Sequence, residues 1–193
     1  NEFAMGGASR WWLHHSLAAL DTSLTACLNL YKGEPLEVLL ELVERLDVTH
    51  VVWNRCYEPW RMQRDEKIKQ TLKEKGIQVQ SYNASLLWEP WQIKKPDGTA
   101  YKVFTPFYRK GCLKAEMPRQ PLPRPDNQAV YLKDDKGQAL DGLNLLPTIA
   151  WDEPFKDLWQ IGEDKAQSQF FKFLEEGLAN YKEGRNIPSK PFV

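Results

Sequence analysis

The run Trp53-Asn54-Arg55-Cys56-Tyr57-Glu58-Pro59-Trp60 gathers aromatic faces, an amide, a guanidinium and a carboxylate into one short stretch. It follows the apolar pair Val51-Val52, which reads as the end of a strand, and leads into a helix near Pro59. In open α/β sheets, ligands settle in the crevice outside the carboxyl ends of the strands. Residues of these types at such a place suit a flat, nitrogen-rich ligand. Aromatic faces sandwich the ring, and Glu58 and Asn54 bond its N–H and C=O edge. The same run equally suits a strand end with packing aromatics and an acid at the head of a helix.

Other candidates are weaker. The chain has no GxGxxG, Walker, GxSxG or HExxH pattern, so the common nucleotide, hydrolase and zinc signatures are missing. His14 and His15 are adjacent on a helix and do not face each other, which favours a structural role. His50, just before a strand, is read the same way. Tyr181 and Arg185 stand four apart at a helix end and share a face. Arg185 suits the helix C-terminus by its charge alone. The pair could also hold a phosphate. Trp88 and Trp91 could simply cover the sheet edge.

The elements that must position these residues follow from periodicity. Ser9 is expected to cap a helix running to about Thr25, with Trp12, Leu13, Leu17, Leu20 and Leu24 as its apolar face. Cys27 to Tyr31 reads as a short strand. Glu34-Pro35 opens a second helix, with Leu36, Val38, Leu39, Leu42, Val43 and Leu46 turned inward. Thr49 to Trp53 reads as a buried strand. A charged helix follows from Pro59 to Lys75, with Met62, Ile68 and Leu72 inward and Gly76 as its C-terminal stop. Ile77 to Tyr82 alternates like a strand. Strand–helix–strand–helix–strand predicts a parallel α/β sheet. Beyond it lie an aromatic loop over 86–91, a turn at Pro96-Asp97-Gly98, and a short helix ending near Lys114. Prolines at 118, 121, 123 and 125 then mark an extended linker. A last helix is expected from Glu163 to Tyr181.

Composition bounds the rest. A chain of 193 residues suits one domain with an appendage. Lys and Arg (26) balance Asp and Glu (26), so nothing global marks a polyanion binder, while a local basic patch stays open. Eight tryptophans exceed what a core of this size readily absorbs. Three dispersed cysteines argue against a disulfide framework or a zinc site and fit a reducing cytoplasm. No apolar run approaches the ~20 residues of a membrane span. The segment Trp11 to Leu20 lacks the basic lead and cleavage site of a signal peptide. The opening Asn1-Glu2-Phe3-Ala4 reads as a cloning scar or as the start of an excised fragment, and a fragment is favoured.

Several segments, in register and in order, resemble one family, the DNA photolyase/cryptochrome flavoproteins. Ala8-Ser9-Arg10-Trp11-Trp12-Leu13-His14-His15-Ser16-Leu17 looks like the helix after the second strand of their N-terminal domain. Trp53-Asn54-Arg55 through Glu58-Pro59, then Arg64-Asp65, resembles the family's W-N-R-x-x-E-P-x-x-x-x-R-D signature. Tyr101-Lys102-Val103-Phe104-Thr105-Pro106-Phe107 is similar to its Y-x-V-F-T-P-F segment. Gly162-Glu163 with Tyr181, Arg185 and Pro188 resembles the helix leading into the flavin domain.

The resemblance implies a Rossmann-like, doubly wound parallel α/β domain, truncated at its N-terminus, followed by a Pro-rich linker and a C-terminal helix. Residues 1–115 would form the antenna-binding domain, 116–162 the interdomain linker, and 163–193 the start of the helical FAD-binding domain. In the family, the first domain holds a methenyltetrahydrofolate or deazaflavin antenna, and the helical domain holds FAD and reverses pyrimidine dimers in DNA. Carried over, Glu58 would bond the antenna's ring edge, with Asn54 and Arg55 lining the same pocket. Tyr181 would contact FAD, and Arg185 would approach the phosphates of damaged DNA in the full-length parent. The family's first two strands have no counterpart before Ala8, and the flavin-binding region has none before Val193. Dimerisation or strand exchange would then complete the sheet, or the isolated chain would rearrange. The rival functions are a cryptochrome-type photoreceptor, a nucleotide-binding α/β module without photochemistry, and a scaffold fragment with no ligand.

Overall fold

The structure, a computed structural model, describes residues 4–123, 131–156 and 158–189. It divides into two compact units, Gly33–Gln128 and a discontinuous one made of Asn1–Lys32 with Ala129–Val193.

The Gly33–Gln128 unit is built on a strand–helix–strand repeat. Helix α1 (Gly7–Ser23) belongs to the other unit, so this one opens with α2 (Pro35–Arg45). Proline occupies its first turn and Glu37 lies near its N-terminus, where the helix dipole favours an acid. Strand β1 (His50–Asn54), helix α3 (Pro59–Glu74) and strand β2 (Gln78–Tyr82) follow. The strands pair in parallel, from His50 opposite Gln78 to Asn54 opposite Tyr82. Helix α3 ends as its sequence dictates. Gly76 adopts φ +80°, its N–H bonds Lys73 O at 2.9 Å, and the Ile77 N–H bonds Leu72 O at 3.0 Å. This is a Schellman closure, which needs a residue free to enter the left-handed region. It turns Ile77 onto a core of Ile68, Leu72 and Val79, packed by Leu36, Leu39, Leu40, Val43, Val51 and Trp53.

Side chains of β1 alternate across the sheet. Val51 and Trp53 face the core while Val52 is exposed, so β1 is covered on one face rather than buried on both as its β-branched run suggested. Met62, expected inward, is exposed. After β2 the Asn83 side chain closes a loop, accepting the Leu86 N–H at 3.0 Å and donating to Leu86 O at 2.8 Å. The short helix α4 (Phe104–Pro106) runs on through a π-helical turn (Phe107–Gly111) and a 3₁₀ turn (Cys112–Lys114). Gly111 is required there. A Cβ would lie 2.7 Å from Ile93 Cγ2 and 3.2 Å from Tyr101 Cε2.

In the second unit, α1 starts at an uncapped Gly6, and Ser9 lies inside the helix. Its buried residues are Trp11 and His14, whereas Trp12 and Leu20, expected inward, are exposed. Apolar residues surround this helix, so their spacing could not select its face; a partner does. The Trp11 Nε1–H donates to Asp152 Oδ2 at 3.0 Å, with both residues buried. Cys27 to Tyr31 forms no strand. Its polar groups are bonded to the 132–138 segment instead: Gln138 N–H to Leu30 O at 2.7 Å, and Asn29 Nδ2 to Leu132 O at 2.8 Å. Helix α5 (Glu163–Lys172) begins at Gly162, which takes φ +113°, and continues through a π-helical turn and a 3₁₀ turn into α6 (Tyr181–Gly184). Among the described residues, no helix is long and apolar enough to cross a membrane, and no cluster of metal-binding side chains occurs.

Candidate functional site

Asn54 and Tyr82 are the last residues of β1 and β2 and stand opposite each other. One more ladder bond, Arg55 N–H to Tyr82 O at 2.8 Å, carries the pairing past the strand end. Beyond these carboxyl ends lies a cavity of about 830 Å³, lined by Asn54, Arg55, Tyr82, Asn83, Trp88, Glu89, Gln92 and Arg119 among others. Its position is the one that parallel sheets reserve for ligands. A smaller cavity of about 330 Å³ holds Trp53, Cys56, Tyr57 and Trp91, and Arg55 lines both.

Arg55 is organised by Glu89. Its Nε lies 2.9 Å from Glu89 Oε1, the two side chains being 33% and 12% exposed. The Tyr57 O–H donates to the same oxygen at 2.8 Å, and the guanidinium lies 5.8 Å from the centre of the Trp91 ring. Proximity and geometry disagree at one atom. Arg55 Nε is buried yet makes no aligned hydrogen bond, so its contact with Glu89 is ionic in distance without a directed N–H. Hydrogen bonds weaken steeply when bent, so the contact with Glu89 is mainly coulombic. Burial first, and then the Glu89 carboxylate, push the Tyr57 phenol above its usual pKa, with Arg55 opposing.

The structure thus brings Asn54 and Arg55 together on one cavity wall. Glu58 lies outside the lining of both cavities. It occupies the N-cap position of α3 without a capping bond, its side chain 53% exposed and 3.7 Å from Arg61. Tyr181 and Arg185 do meet: the guanidinium lies 5.7 Å from the centre of the Tyr181 ring, and Phe173 abuts that ring edge-on. Glu89, the partly buried carboxylate of the site, was not singled out from sequence. A signal for it existed, because Glu89-Pro90-Trp91 repeats the triplet Glu58-Pro59-Trp60. Asn83, Gln92 and Arg119 gave no such signal.

Comparison with known proteins gives this geometry a family. The DNA photolyase family model matches residues 1–126. A deoxyribodipyrimidine photo-lyase of Agrobacterium fabrum is 37% identical over 191 residues, which is 97% of this chain and 40% of that protein. Cryptochrome-2 of Arabidopsis thaliana is 39% identical over 192 residues, covering 93% of this chain and 31% of that protein. The crystal structure of a bacterial class III photolyase from Agrobacterium tumefaciens superposes with a TM-score of 0.81 at 36% identity, over 97% of this chain and 40% of that one. The chain therefore spans well under half the length of these relatives, and its mixed α/β fold with a short parallel sheet matches their N-terminal domain. By its family match and its fold alike, this chain belongs to the DNA photolyase family.

Proposed function

We propose that this chain is the antenna-binding part of a photolyase-like flavoprotein, and that the cavity outside β1 and β2 holds the light-harvesting chromophore. The observation that carries the reading is the cavity of about 830 Å³ at the carboxyl ends of both parallel strands, with Asn54 and Arg55 on its wall. The lining fits a pterin or deazaflavin. Trp88 and Tyr82 offer ring faces, Asn54, Asn83 and Gln92 offer amides for a heterocycle edge, and Arg55 and Arg119 offer donors for carbonyl or carboxylate oxygens. Glu58 lies outside the cavity lining, and its role at the ring edge is proposed from the family resemblance alone. The bound antenna supplies absorption and passes its excitation to FAD. The residues of this chain bind it, orient it and exclude water from it.

In the full-length parent, FAD in the following helical domain would use that excitation to reverse pyrimidine dimers in damaged DNA, as a carbon–carbon lyase. Residues 1–115 would carry the antenna, 116–162 the link, and 163–193 the start of the FAD domain, with Tyr181 against FAD and Arg185 towards DNA. Three free cysteines support a cytoplasmic setting. The sheet has two strands among the described residues, so each has an outer edge without a partner strand, which supports completion by a second copy. The similarity to Cryptochrome-2 favours a second reading, a photoreceptor that signals without repairing.

The test is the visible and near-ultraviolet absorption of the purified chain, titrated with a reduced folate and with a deazaflavin. A saturable band that Asn54→Ala, Arg55→Ala or Glu58→Ala weakens supports the site and ranks its residues. A folded chain whose spectrum neither ligand changes would overturn the proposal. Dimer repair under light by the full-length parent separates the photolyase from the photoreceptor.

A further inference from the structure

One wall of the strand-end cavity is built differently from the rest. Asn54, Arg55 and Tyr82 stand at paired strand ends, whereas Glu116, Met117, Pro118, Arg119 and Leu122 come from a single stretch of chain. Residues 116–123 form neither helix nor strand, and among the described residues no backbone–backbone hydrogen bond holds them. Pro118, Pro121 and Pro123 have no N–H to offer. Two side-chain bonds tie the stretch across the cavity. Trp88 Nε1–H donates to Glu116 O at 2.9 Å, and Arg119 Nη2 donates to Asn83 O at 3.3 Å, which is long for such a bond. The receiving side is firmer, since the Asn83 side chain is itself bonded twice to Leu86.

The stretch carries apolar side chains with little cover. Met117 and Leu122 both line the cavity, yet they are 83% and 75% exposed. Apolar surface so placed is stabilised by whatever removes it from water, and a ring lying in the cavity would do so. The methionine thioether is polarisable and adapts its shape to an aromatic face. Stiffness matters as well. A proline-rich segment moves as one piece and gives up little conformational freedom when it closes. Loose attachment, a stiff backbone and open apolar side chains together make a movable cover rather than a fixed wall.

We infer that residues 116–122 are a strap that settles over a flat heterocycle in the cavity, with Met117 and Leu122 covering its outer face and delaying its release. The inference rests on the proposed antenna site and adds to it the part of the chain that keeps the ligand in place.

The experiment uses the full chain and methenyltetrahydrofolate, followed by absorbance in stopped flow, with trypsin as a second readout. Cleavage after Arg119 reports the open strap. Saturating ligand should slow it by about tenfold and leave cleavage after Lys136, in the other unit, unchanged. Met117→Ser with Leu122→Ser, at two exposed positions, should speed release by about tenfold and keep association within about twofold of the parent. Pro121 is no part of the cavity lining, so Pro121→Gly removes no ligand contact and only loosens the strap. It should speed release several-fold, a change that a fixed wall would not show. Circular dichroism checks that both variants are folded. Cleavage after Arg119 that bound ligand does not slow, release from the serine variant within about twofold of the parent, or unchanged release from Pro121→Gly would each overturn the strap and leave the antenna site standing. Absence of ligand binding by the parent would overturn both.

Discussion

Replacing Glu89 by alanine tests the organisation of the site directly. Two contacts converge on its Oε1: the Tyr57 hydroxyl at 2.8 Å and Arg55 Nε at 2.9 Å. A hydrogen bond to a charged acceptor contributes about 1.5–3 kcal/mol. The ion pair adds less than about 1 kcal/mol, since Arg55 is a third exposed and its N–H is not aimed at the oxygen. The two share one atom, so they do not sum. Glu89→Ala should therefore destabilise the Gly33–Gln128 unit by about 2–3 kcal/mol. Glu89→Gln, which keeps an acceptor for Tyr57 and loses only the charge, should cost about 1 kcal/mol. Urea unfolding followed by tryptophan fluorescence measures both. If Glu89→Ala lies within about 0.5 kcal/mol of the parent, or if glutamine costs as much as alanine, Glu89 does not hold this wall of the cavity.

The Tyr57 phenol, raised above its ordinary 10.0, stabilises the fold fully below that value and loses this contribution as pH rises through the higher native pKa. A phenolate absorbance titration should show one delayed tyrosine; Glu89→Gln should bring it part of the way back, because burial, the larger cause, remains. Leu72→Ala, at a side chain with 0% exposure, should cost about 2–5 kcal/mol, and a loss below 1 would deny Leu72 its place at the centre of the core. Gly162→Ala meets two obstacles, φ +113° and the Ala19 Cβ at 3.0 Å, and should cost about 1–3 kcal/mol in thermal unfolding. Adding Ala19→Gly should recover only the steric part, and full recovery would refute the backbone part.

The strand–helix–strand repeat was legible because each signal was local: a β-branched run for β1, alternation for β2, Pro35 and Pro59 at helix heads, and Gly76 at a helix end. What failed depended on distant partners. Cys27 to Tyr31 has a strand's composition, but a strand exists only through its neighbour, and here the neighbour is the 132–138 loop. The buried face of α1 is chosen by Asp152 and not by the spacing of its leucines. At the site, Asn54 and Arg55 could be placed on the cavity wall because they stand at and just after the carboxyl end of β1. Glu89 could not, because its importance arises from a fold that returns the chain to Tyr57 from 32 positions away.

The bond from Trp11 to Asp152 spans 141 positions, and the whole Gly33–Gln128 unit lies between its partners. At about 5–20 residues per second, Trp11 is synthesised roughly 7 to 28 seconds before Asp152. The strand–helix–strand core needs no residue outside its own unit and can close in that interval. Helix α1 cannot bury its indole until the later segment arrives. Until then the nascent chain carries a tryptophan helix without its buried partner, and translation halted before Asp152 leaves it so.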